Sequence, residues 1–157
     1  MYNGEIQNLN RLSSSQRKNL LCKSAAEGDL KQCQYLIKAG VSPNTYNPIW
    51  QTPLIAASRF GKKKMIRFLL KAGADIDGRD QHSNTPLICA AHEGNLLTVF
   101  LLLSQGANPN LKRIDNLDAM TLGGCGHLAG LLKLHNKTLL KVNPDVCFDG
   151  ILNSKDF

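Results

Sequence analysis

The chain of 157 residues is short of glutamate, with Glu5, Glu27 and Glu93 alone, and short of aromatic residues, which form 6% of it and include a single tryptophan. None of the three glutamates falls where two carboxylates would converge, which argues against general acid/base work by a carboxylate pair. A Ser-His-Asp ordering, an HExxH pair and a phosphate-cradling glycine loop are missing as well, so the sequence reads as non-enzymatic and calls for no cofactor. Long hydrophobic runs are also missing. The most apolar stretch, Leu96 to Leu103, is far shorter than the ~20 residues that cross a bilayer, and Met1 to Asn10 contains no apolar leader segment. Five cysteines (Cys22, Cys33, Cys89, Cys125, Cys147) are odd in number and scattered, unlike a disulfide scaffold. A reduced, cytoplasmic chain without a membrane span is the expectation.

What is present suffices for a core: 43% of residues are hydrophobic and 20% charged, outside the disordered range. The formal charge of +7 is uneven. Residues 1–74 hold 12 basic and 3 acidic residues, a balance of +9, whereas residues 75–157 hold 7 and 9, a balance of −2. A uniformly basic nucleic-acid binder does not fit that distribution.

Internal repetition governs everything else. Gly28, Gly61 and Gly94 are 33 residues apart, as are Gly40, Gly73 and Gly106. Apolar positions keep the same step: Leu21, Leu54, Leu87 and Met120; Cys33, Ile66, Val99 and Leu132; Leu36, Leu69 and Leu102. Thr52-Pro53-Leu54 returns as Thr85-Pro86-Leu87. Within a unit, Thr52 is placed to cap a helix that starts on Pro53 and runs to about Phe60. Gly61 turns the chain, and Met65, Ile66, Leu69 and Leu70 form the apolar stripe of a second helix from about Lys62. Gly73 ends that helix as a left-handed cap, and the polar segment from Ala74 to Asn84 projects as a hairpin.

The Thr-Pro-Leu-x-x-Ala-Ala signature, the glycine nine residues after the Thr, the Leu-Leu pair and the closing Gly-Ala-Asp or Gly-Ala-Asn resemble the ankyrin repeat, whose period is also 33 residues. The resemblance implies an all-α solenoid of stacked helix-turn-helix units with hairpin loops. Four units are expected: a degenerate first at 14–46, near-complete ones at 47–79 and 80–112, and a degenerate carboxy-terminal cap at 113–141. Residues 1–16 form an amino-terminal cap segment, in which Ile6, Leu9 and Leu12 have helical spacing. Residues 142–157 form a tail that is apolar enough to fold back or to act as a short motif.

The resemblance further implies that another protein binds at the finger tips and the concave face. Mapped onto this chain, that surface comprises Tyr46, Ile49, Trp50, Arg59 and Phe60; Arg79, Gln81, His82, Asn84, His92 and Glu93; and Lys112 and Ile114. Trp50 stands out because the family usually has glycine at that tip. An exposed ring there suits an interface anchor; the competing expectation is that it lies flat on the next finger. The basic patch Lys62, Lys63, Lys64 and Arg67 opens a second helix on the outer side, where it opposes the helix dipole. His82, Cys89 and His92 lack a fourth ligand at zinc-like spacing, so no metal is expected.

The function read from the sequence is non-catalytic binding of another protein by a monomer, as adaptor or inhibitor. The 14 asparagines and the 13 Lys to 6 Arg are compatible with a translocated effector of an intracellular bacterium acting in host cytoplasm. The alternative is a nucleic-acid or anionic membrane-surface binder that uses the basic first half.

Overall fold

The computed structural model describes residues 12–122. The amino-terminal cap up to residue 11, the second half of unit four, Cys125, Cys147 and the tail at 142–157 lie outside the described residues. Helices come in pairs: α1 (Ser14–Glu27) with α2 (Leu30–Lys38), α3 (Pro53–Arg59) with α4 (Lys63–Lys71), α5 (Pro86–His92) with α6 (Leu96–Ser104), and then α7 (Ala119–Leu122). The first helices stack α1 on α3 on α5 on α7 as an inner row, and α2, α4 and α6 form an outer row against them. Among the described residues there is no strand, only an isolated antiparallel bridge between Lys112 and Asp118.

The period in the sequence becomes a period in burial. Leu21, Leu54 and Leu87 are at most 1% exposed, as are Cys33, Ile66 and Val99, and Leu36, Leu69 and Leu102. Each unit hides one face on its neighbour. Burying such a side chain is worth about 1.5–3 kcal/mol, and no unit supplies both walls of its own core.

Local chemistry sets the helix ends. Thr52 Oγ1 accepts the Ile55 N–H at 3.2 Å and Thr85 Oγ1 accepts that of Ile88 at 3.2 Å, with proline opening each helix. Gly61 sits at φ +63°, a conformation that favours glycine, and a Cβ there would press on Asn95 Oδ1 at 3.2 Å. That asparagine starts α6 and donates from Nδ2 to the Arg59 carbonyl at 2.7 Å. Lys62 stands at the same register position at the start of α4 and gives no side-chain cap; its stem lies over Gly28. The patch residue Lys62 is therefore also a packing contact between units one and two.

The fingers share one backbone. Asn47 N–H donates to the Gln51 carbonyl at 3.1 Å and Trp50 N–H to the Asn47 carbonyl at 2.9 Å; Asp80 with Asn84, and Arg113 with Leu117, repeat the pattern at 3.1 and 2.8 Å. Side-chain oxygens brace the first two: Asn47 Oδ1 accepts from Ile49 and Gln51, and Asp80 Oδ1 from His82 and Asn84. Loops between units are clasped in register, since Asn44 Oδ1 accepts the Asp75 N–H at 2.7 Å and Asp77 Oδ1 accepts that of Asn108 at 3.0 Å.

Unit one departs from the expected pattern. The positions that would carry its finger are the opening turns of α1, which begins six residues earlier in register than α3. Ser13 caps it in a reciprocal box with Gln16, and the segment has neither an Asn or Asp at the brace position, where Ser14 stands, nor a proline after Asn19. With no brace and no proline stop, helix replaces finger.

Candidate functional site

The tip of each finger needs a residue in the left-handed region: Trp50 at φ +57°, Ser83 at +59° and Asn116 at +64°. Asparagine tolerates that conformation well, serine less so, and a bulky aromatic poorly. Trp50 nevertheless occupies it with 59% of its surface exposed. The ring is tilted 51° against Tyr46 at a centroid distance of 5.9 Å, a geometry typical of attractive aromatic pairs. The ring pair shown lies within the first finger itself. Strain of order 1 kcal/mol is retained at a position where burial gives little in return.

Other residues expected on this surface are exposed as well. Ile49 is 63% exposed beside Trp50, and Phe60, at the end of α3, is 58% exposed. Arg59 reaches across to unit three: Nη2 donates to Cys89 Sγ at 3.9 Å and Nε stands 3.9 Å from Glu93 Oε1, which also faces His92 Nδ1 at 3.6 Å. The Arg59 and Glu93 side chains are about two-fifths exposed, so their ion pair contributes under about 1 kcal/mol. Arg79, Gln81 and His82 are exposed on the second finger, where the Gln81 Nε2 and His82 Nε2 atoms are 3.0 Å apart. Lys112 and Ile114 are exposed on the third, and the Ile114 N–H donates to the His82 carbonyl at 3.2 Å, joining the two fingers.

Asn84 is a correction. It was expected on the exposed surface but is 8% exposed, and its Nδ2 donates to Asp80 Oδ2 at 2.8 Å. The residue closes its own finger, since Asp80 at the brace position gives the amide an acceptor.

The basic residues separate from this surface. Lys63, Lys64 and Arg67 are exposed on α4 in the outer row. The outer helix of unit three, α6, carries no charge. Cys89 is buried, with its thiol pushed up to about 11 by burial against the opposing pull of Arg59. Burial likewise pushes Cys22 and Cys33 up to about 12, so all three stay protonated near neutrality and are poor nucleophiles and ligands. Among the described residues no group of three or more His, Cys, Asp and Glu is arranged to hold a metal ion, and no helix is long and apolar enough to cross a membrane.

Three residues unforeseen in the sequence join the first finger. Arg17 and Lys18 on α1 and Thr45 in the approach to the finger line an open groove with Tyr46 and Trp50. One signal was available, since Arg17 and Trp50 are one period apart. A family model for ankyrin repeats, in three copies, matches residues 21–113. No curated protein matches the chain.

Proposed function

The chain belongs to the ankyrin-repeat family, and from that premise we propose that it binds another protein through its first finger and the inner ends of α3 and α5, acting as an adaptor or as an inhibitor that masks its partner. Repeats of this family are generally protein-interaction modules, and such a surface needs neither cofactor nor metal. The observation that carries the reading is Trp50: a bulky ring held in a left-handed conformation and largely exposed. Exposed aromatic anchors supply much of the energy at protein interfaces, and Tyr46 pairs with this one while Ile49 stands exposed next to it in the chain.

The test compares the full chain with Trp50→Gly as bait in quantitative capture from cells, alongside thermal melts. Glycine relieves the strained tip, so the variant keeps or gains stability while it loses the captured protein. Retained capture with lost stability would show that Trp50 only packs.

The exposed cations on α4 support a second reading, attraction to nucleic acid or an anionic membrane surface. Retention on heparin over a salt series, compared with Lys63→Ala/Lys64→Ala/Arg67→Ala, measures it; retention that ignores either change removes that reading.

A further inference from the structure

The groove between α1 and the first finger has a volume of about 840 Å³ and a one-sided chemistry. Arg17 and Lys18 stand on its α1 wall and Tyr46 and Trp50 on the finger wall, and no acidic side chain lines it among the described residues. Arg17 Nε donates to the Leu12 carbonyl at 3.1 Å, which fixes the guanidinium against the start of the helix. Below them Thr45 is 6% exposed, and its buried Oγ1 has no hydrogen-bond partner, a condition that native proteins seldom leave uncorrected. With two cations and no acid among its described lining residues, the groove has a field that favours anions.

We propose that this groove seats an extended acidic segment of the partner protein, with its carboxylates on Arg17 and Lys18 and one apolar side chain against the Tyr46–Trp50 pair. The proposal rests on the protein-binding reading above and names the chemistry of the partner. A held guanidinium suits a carboxylate, and the exposed ring pair gives an apolar residue a wall to stack on.

Trp50 is the single tryptophan of the chain, so its emission reports occupancy of the groove directly. The full chain is titrated with a synthetic peptide of glutamates around a central leucine and proline, with a lysine peptide of the same design, and with heparin. A saturable blue shift with the glutamate peptide is expected, weakened by salt and weakened about tenfold by Arg17→Glu or Lys18→Glu. Both replacements place an acid in the first turn and a half of α1, where the dipole tolerates it, and melts confirm folding. An unchanged emission, an equal shift with the lysine peptide, or an equal shift with heparin overturns the proposal. So does a shift that requires deletion of residues 2–11, because the chain itself would then be the occupant. If Trp50→Gly abolishes protein capture while the glutamate peptide leaves emission unchanged, the acidic-segment proposal falls and the protein-binding reading stands.

Discussion

Fingers one and two run on one backbone and differ in what they present. Both close with the same pair of main-chain bonds, both are braced by an Asx side chain, and both need a left-handed tip. Finger two fills that tip with Ser83 and ties Asn84 inward. Finger one fills it with Trp50 and leaves the ring to solvent and Tyr46. Since the backbone is common, the difference is not a requirement of the fold. The repeat fixes where a side chain points and leaves the identity of that side chain open.

The largest test concerns the scaffold common to both fingers. Leu69→Ala and Leu102→Ala each remove a fully buried side chain from the core, with an expected loss of about 3 kcal/mol in urea denaturation. In a stack of nearest-neighbour contacts that loss spreads to the adjoining units. A loss confined to the mutated unit, read by hydrogen exchange, would break the idea of a shared scaffold.

Alkaline pH probes the layer beneath each finger. Cys22 Sγ donates to the Gln51 carbonyl at 3.3 Å below finger one, and Cys89 accepts from Arg59 near finger two. Burial raises the Cys22 thiol from 9.0 to about 12 and the Cys89 thiol to about 11. A raised folded-state pKa contributes stability that is complete below about pH 9 and is lost as pH climbs toward the folded value. Stability should therefore fall between about pH 9 and 12, and the fall should be shallower in Cys22→Ala than in Cys89→Ala when melts are compared over that range.

Bracing comes next. Asn47→Ala and Asp80→Ala each remove a side-chain oxygen that accepts two main-chain N–H bonds in a finger, at about 1–2 kcal/mol. The second is expected to cost more because it also strands Asn84 Nδ2 in a buried place. Equal losses by denaturant midpoint would show that the two fingers are braced alike.

How much of this was legible in the sequence depends on whether neighbours repeat. Leu69 and Leu102 were readable because each meets the same surroundings one period on. Trp50 was readable as a large residue at a tip where glycine is usual. Asn84 was misread because the deciding contact, Asp80 Oδ2, is peculiar to its finger. Arg17 and Lys18 were missed because α1 runs helically through positions that elsewhere form a finger, and Ser13 with Gln16 cap it there. Register predicts what repeats; substitutions that change the partner of one side chain escape it.

Tip substitutions sharpen the contrast further. Trp50→Gly should raise stability by about 1 kcal/mol, Ser83→Gly by less, and Asn116→Gly hardly at all, in the order in which these side chains dislike the left-handed region. Thermal midpoints in any other order would mean that the Trp50 ring is stabilised by contacts that offset its strain.

The smallest effect separates charge from packing at one register position. Lys62 and Asn95 open α4 and α6 in the same way, yet Asn95 bonds the Arg59 carbonyl and Lys62 only lays its stem over Gly28. Lys62→Asn removes a cation from a helix amino terminus and brings an amide to the register counterpart of Arg59, the Ala26 carbonyl. A gain of about 0.3–1 kcal/mol is expected from the dipole, reduced by the loss of stem packing. If stability rises while heparin retention falls, the lysine was kept for its charge. If stability drops instead, the stem over Gly28 is the reason it is there, and the basic patch that could act through charge narrows to Lys63, Lys64 and Arg67.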